Sequence, residues 1–166
     1  MLKILGALCV MMAGIGGGTA MAARLRQRQL FLRGVQQGLL ALMRGIDFAL
    51  PMSRALAEAA EAAGEAKNLF QRAAALLKES DGLTAGEACL QALSGVEAKA
   101  EDKELLRLVA EGLGMSGSGG QLKALELSRL RLAEAETKAA AETERGGKIW
   151  RTAGWSCGAV LALLLL

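Results

Sequence analysis

Residues 83–95 decide the fold, and they read Leu83-Thr84-Ala85-Gly86-Glu87-Ala88-Cys89-Leu90-Gln91-Ala92-Leu93-Ser94-Gly95. Thr84 and Glu87 have the spacing of a capping box, in which the Thr hydroxyl accepts from the Glu backbone N–H and the Glu carboxylate accepts from the Thr backbone N–H. This pattern predicts that a helix begins at Thr84. Gly95 marks its end, since glycine commonly follows the last turn of a helix.

Helical patterns continue outward from this stretch in both directions. Apolar residues recur at three- and four-residue steps, which is typical of one buried helix face, and no alternating strand pattern competes with them. Pro51 suits the first turn of a helix, where its missing N–H is not needed. The sequence therefore predicts an all-α bundle of about six helices, with the others over 25–46, 51–64, 69–81 and 105–113 and from about residue 121 onward.

Both ends of the chain are apolar. Residues 4–23 carry no charge, and a helix of that length measures about 30 Å, the thickness of the hydrocarbon core of a bilayer. Residues 152–166 are also uncharged, and counting from Ile149 makes this second stretch nearly long enough to span. We therefore expect transmembrane helices at 1–23 and 149–166 and a helical-bundle domain at 24–148.

Basic residues next to the two apolar stretches predict the topology. Positive charge of this density is normally kept on the cytoplasmic side, which places the middle domain in the cytoplasm. A cleaved signal peptide is the alternative for the N-terminus, because Ala20-Met21-Ala22 resembles a cleavage site. The basic residues that predict a cytoplasmic middle domain between two membrane helices are Arg24, Arg26, Arg28, Arg33, Lys148 and Arg151.

The residue inventory argues against an enzyme. The 166 residues include no His and no Tyr, and the three cysteines, Cys9, Cys89 and Cys157, lack metal-site or redox-motif spacing. The glycines of 114–120 are followed by Gln121 rather than by the Lys of a phosphate loop. We expect no catalytic residues, no cofactor and no metal. We also expect no nucleic-acid surface, because the body of the chain lacks a basic face.

The chain resembles the stage III sporulation protein AB family. Met1-Leu2-Lys3-Ile4-Leu5-Gly6-Ala7, the arginines after the first apolar run, Pro51 with Ala55-Leu56, residues 83–88, Leu113-Gly114 with Ser116 and Gln121, and the Leu-rich tail carry the resemblance. The position after Ala88, often a Trp in the family, is Cys89. The family is similar in turn to the cytoplasmic domain of the platform protein of type II secretion and type IV pilus machines.

The resemblance implies a sporulation function. It implies an endospore-forming source and a place in the mother-cell (outer forespore) membrane, within the channel apparatus that joins mother cell and forespore. The expected function is a non-catalytic platform that docks a secretion-type ATPase. Its expected partners are other stage III channel proteins and membrane lipid, and self-association into a homo-oligomer stays open. A small holin-like pore is the alternative, although about 125 residues outside the membrane fit it poorly.

Loops and helix starts supply the candidate partner-binding residues, because loops offer adaptable surface. Two places meet this criterion: the capping segment of residues 84–87 and the Gly-rich connection of residues 114–120. The candidate contacts are Thr84, Gly86, Glu87, Ser116 and Gln121.

Overall fold

A computed structural model describes residues 2–80, 82–114 and 117–165. For residues 2–11, 13–15, 147, 148, 150, 151, 154, 155 and 157–165 it describes the backbone alone. Ser116 and the side chains of Cys9, Cys157, Lys148 and Arg151 therefore lie outside the described residues. Over the described ranges the chain forms six α-helices and no strand, which confirms the all-α prediction. The helices are α1 (Leu2–Asp47), α2 (Met52–Ala62), α3 (Lys67–Glu79), α4 (Ala85–Ser94), α5 (Ala100–Leu113) and α6 (Ser118–Leu165), with a 3₁₀ turn at Gly64–Ala66.

The chain divides into two units. One consists of Met1–Gln29 and Lys138–Leu166, which are the outer parts of the two long helices. The other is Leu30–Thr137, which contains the short helices α2–α5 together with the inner parts of α1 and α6. The sequence placed the domain boundaries at 24 and 148, where charge begins and ends, whereas the unit boundaries lie several residues further inward.

The core of the Leu30–Thr137 unit is built from leucines on long and short helices alike and from alanines, which lie on the short helices and the turns between them. On α1 the predicted apolar face is confirmed, and its central members are completely buried: Leu32, Val35, Leu39 and Leu42. Small residues let the helices approach closely. A Cβ added at Gly38 would lie 2.5 Å from Cε2 of Phe70, and one added at Gly45 would lie 2.7 Å from the Ala55 Cβ.

The helices of this unit run alternately up and down, because the connections between them are short. The C-terminal end of α1 meets the N-terminal end of α2 at Gly45 and Ala55, and the C-terminal end of α5 meets the N-terminal end of α4 at Gly86. One end of the unit therefore collects residues 48–51, 82–84 and 117–121. We call this end the tip.

Several helix boundaries differ from the sequence prediction. Pro51 is the N-cap of α2 rather than its first helical residue, and α2 ends at Ala62 rather than at Gly64. Gly64 has φ +48°, a backbone conformation that suits glycine and leads into the 3₁₀ turn. α6 begins at Ser118, so Gly119 and Gly120 belong to its first turn rather than to the loop.

Two further features of α6 modify the sequence interpretation. Its backbone stays helical through Gly146 and Gly147, although glycine is a poor helix former. Leu130 is 53% exposed although it is apolar, because Leu125, Ser128 and Leu132 face the bundle instead.

Among the described residues, no helix combines the length and the apolar character that crossing a membrane requires. The spans predicted at 1–23 and 149–166 therefore stay predictions.

Candidate partner-binding surface

The predicted capping box is present at the start of α4. The Thr84 Oγ1 accepts from the Glu87 backbone N–H at 3.3 Å, and Glu87 Oε2 accepts from the Thr84 backbone N–H at 2.9 Å. The same carboxylate oxygen also accepts from the Thr84 hydroxyl at 2.7 Å. These bonds favour the charged carboxylate, so the backbone N–H first and the hydroxyl second lower the pKa of Glu87. Both residues are exposed and already engaged with each other.

Gly86 is buried and lies against the end of α5. A Cβ at this position would be 2.6 Å from the Ala110 carbonyl oxygen and 3.1 Å from the Gly114 backbone nitrogen. Both neighbours are backbone atoms, which cannot turn away as a flexible side chain can. Gly86 therefore serves the contact between α4 and α5, and its own surface is not open to a partner.

Gln121 also holds helices together. Its Nε2 donates to the Leu113 carbonyl oxygen at 3.0 Å, which satisfies one of the carbonyl groups left without a helical partner at the end of α5. Ser116 lies outside the described residues. The structure thus brings Thr84, Gly86, Glu87 and Gln121 together around the end of α5, and among these Thr84 and Glu87 present exposed surface.

Phe48 is the largest feature of the tip that the sequence interpretation missed. It follows the last residue of α1 and is 76% exposed, and Ala49 beside it has φ +52°, which is rare for a residue with a Cβ. A signal was available: the buried face runs through Leu39, Leu42 and Ile46, and Phe48 is out of step with that spacing. An exposed aromatic side chain is a common anchor in protein interfaces.

A second exposed apolar group lies on the flank of the same unit. Leu127 and Leu130, one helical turn apart on α6, are 54% and 53% exposed. Contiguous exposed apolar surface often marks a contact with another protein. This pair lies away from the tip along α6 and supplies a natural control for it.

Cys89 faces the interior of the unit. It lines a small apolar cavity of about 20 Å³, among Val35, Leu69, Phe70 and Leu106. Burial disfavours the thiolate and raises the pKa of Cys89 to about 12. A thiol in this state is inert at neutral pH, so Cys89 acts as a small packing residue.

The arginines used to predict the topology differ in their surroundings. Arg24, Arg26 and Arg33 are exposed. Arg28 is 12% exposed in its side chain and donates through Nη1 to Glu142 Oε2 at 2.7 Å. Its charge is therefore compensated within the unit formed by the outer parts of α1 and α6.

Across the described residues, no group of three or more His, Cys, Asp or Glu side chains could hold a metal ion. One acidic side chain is nevertheless buried, Asp102 in the first turn of α5, where a carboxylate complements the helix dipole. Sequence spacing did not single it out. The architecture and its exposed apolar groups define a small all-α bundle with surfaces suited to protein contacts.

Comparison with known proteins identifies the family. The chain belongs to the stage III sporulation protein AB family, whose model matches residues 3–166. The chain thus has a role in sporulation, as the resemblance implied.

A solved structure of stage III sporulation protein AB is similar to this chain, with a TM-score of 0.64 and 22% sequence identity. The match covers 70% of this chain and 96% of the solved one, and at this identity it shows the shared fold alone. No curated protein matches the sequence.

Proposed function

We propose that the chain is a non-catalytic membrane platform of the channel apparatus between mother cell and forespore. Residues 1–23 and 149–166 anchor it, and the Leu30–Thr137 unit stands on the cytoplasmic side of the mother-cell (outer forespore) membrane. Family membership over residues 3–166 is the observation that carries the proposal. The uncharged runs at 4–23 and 152–166 and the exposed Arg24, Arg26 and Arg33 support the anchoring.

The tip is the proposed docking surface for a secretion-type ATPase. Phe48 offers an apolar anchor, and the exposed Thr84 and Glu87 add polar groups at the same end of the unit. Interfaces commonly combine a central aromatic residue with a polar surround. The capping box fixes the positions of these polar groups before a partner binds, which reduces the entropy that binding would otherwise lose.

Cysteine accessibility in intact cells tests the topology. In a variant without native cysteines, single probes are placed after Leu166 and as Ser94→Cys, since Ser94 is exposed. A membrane-impermeant thiol reagent is expected to label the probe after Leu166 in intact cells. The Ser94→Cys probe is expected to react only after the cells are lysed. Labelling of Ser94→Cys in intact cells would place the bundle outside the cytoplasm and refute the platform function.

Matched substitutions test the docking surface. Phe48→Ser removes the anchor at the tip, and Leu130→Ser removes an apolar side chain of substantial exposure from the flank. We expect Phe48→Ser to weaken capture of the secretion-type ATPase from the same cells by the detergent-solubilised full chain by about thirtyfold, typical of losing an interface hot spot. Leu130→Ser is expected to retain capture. The opposite pattern would move the docking surface from the tip to the flank of α6.

A further inference from the structure

The outer parts of α1 and α6 form an open groove of about 540 Å³. Both walls belong to the unit of Met1–Gln29 and Lys138–Leu166. We call this groove the α1–α6 groove, and its lining residues are Leu25, Lys138, Ala141, Glu142, Arg145 and Gly146.

Two basic side chains of α6, Lys138 and Arg145, line the groove. Lys138 and Arg145 are exposed, and among the described residues neither forms an ion pair. Glu142, the acidic residue of the lining, is bonded to Arg28 at 2.7 Å. The groove therefore has two cationic side chains over a lining that also includes apolar surface at Leu25 and Ala141.

The position of the groove along the sequence identifies the ligand chemistry. Leu25 comes two residues after the end of the uncharged run 4–23, and Gly146 comes shortly before the uncharged run 152–166. Basic pockets between helices at the cytoplasmic face of a membrane are suited to the phosphates of anionic lipids. Lys and Arg would contact the phosphate, while Leu25 and Ala141 would contact the glycerol and upper acyl carbons.

We propose that the α1–α6 groove binds the headgroup of an anionic phospholipid. The proposal rests on the membrane anchoring put forward under Proposed function and adds a specific lipid site to it. Bound lipid would contact α1 through Leu25 and α6 through Lys138, Ala141 and Arg145. Each basic residue near an anionic surface contributes about fivefold in affinity, so loss of both weakens binding about thirtyfold.

Thermal unfolding of the full chain in detergent micelles tests this site. The midpoint is measured during titration with dioleoyl phosphatidylglycerol, dioleoyl phosphatidylcholine or inorganic phosphate. The test variant is Lys138→Gln with Arg145→Gln, and the matched control is Lys123→Gln with Arg131→Gln, two exposed basic residues nearer the N-terminal end of the same helix. A charge-preserving variant, Lys138→Arg with Arg145→Lys, checks that loss of charge and not altered packing is responsible.

Phosphatidylglycerol is expected to raise the midpoint of the parent chain, the control and the charge-preserving variant. The test variant should need about thirtyfold more of this lipid for the same shift. An equal response to phosphatidylcholine would overturn the proposal, as would an unchanged response of the test variant. An equal response to inorganic phosphate would mean that the groove binds a free anion, and this result would also overturn the proposed lipid site.

Vesicle flotation separates failure of this site from failure of the anchoring. A chain that does not float with phosphatidylcholine vesicles contradicts membrane anchoring itself. A chain that floats with them and shows no preference for phosphatidylglycerol contradicts the lipid site in the α1–α6 groove and leaves the anchoring intact.

Discussion

Replacing Gly86 by alanine should destabilise the bundle although alanine is the better helix former. The added Cβ would lie 2.6 Å from the Ala110 carbonyl oxygen and 3.2 Å from the Gly114 Cα. Favourable non-bonded separations are about 3.5 Å or more, so α4 must move away from the end of α5 by about 0.9 Å. Overpacking of this kind costs about 1–3 kcal/mol, and the higher helix propensity of alanine offsets up to about 1 kcal/mol of it.

The expected net loss for Gly86→Ala is about 1–2 kcal/mol in the free energy of unfolding. For a unit of this size that loss lowers the thermal midpoint by about 4–8 °C. Circular dichroism of the full chain during thermal and urea unfolding measures both quantities. Gly119→Ala is the matched control, because a Cβ there meets nothing within 4 Å and the substitution should leave stability unchanged or raise it.

One result would refute this reasoning. If Gly86→Ala were as stable as the parent while Gly119→Ala behaved as expected, the close contact with α5 would not limit the packing. If Gly86→Ala were stable but had lost ATPase capture, Gly86 would act in partner binding, as the sequence predicted, and not in packing α4 against α5.

Three further predictions concern the capping box, the Cys89 thiol and the end of α5. Thr84→Ala should cost about 1 kcal/mol in urea unfolding at neutral pH. Because the pKa of Glu87 is lowered, its contribution is present above the usual carboxyl pKa and is lost as pH falls through the lowered value, so the parent and Glu87→Gln should converge in acid. Burial raises the pKa of Cys89 to about 12, so its contribution is complete below the ordinary thiol pKa and decreases as pH rises toward 12. Between pH 8 and 10.5 the parent should therefore lose more stability than Cys89→Ala does, and parallel pH profiles would contradict this. Gln121→Ala should cost about 1 kcal/mol through the lost bond to α5, whereas Gln37→Ala at an exposed position should cost almost nothing, and equal urea midpoints for the two would contradict the bond's role.

Local sequence was sufficient for the helices and for the capping box. Thr84 and Glu87 are three residues apart, so their mutual bonds depend on no other part of the chain. The apolar spacing through Leu39 and Leu42 identified the buried face of α1 in the same way. Helical periodicity is a property of neighbouring residues, which is why the all-α class could be predicted before any packing was known.

The roles of individual candidate residues depended on distant parts of the chain. Gly86 becomes a packing residue because Ala110, 24 positions away, lies against it, and Gln121 serves α5 because the preceding helix ends beside it. Arg28, used on sequence grounds to predict topology, bonds to Glu142 in the other long helix.

The sequence by itself determined that this chain is helical, that α4 begins after Thr84 and to which family the chain is similar. The tertiary structure alone decided that Gly86 is buried, that Leu130 is exposed and that Phe48 stands at the tip. The physical reason is that a helix forms from bonds between residues four positions apart, whereas the face it buries depends on which other helices pack against it.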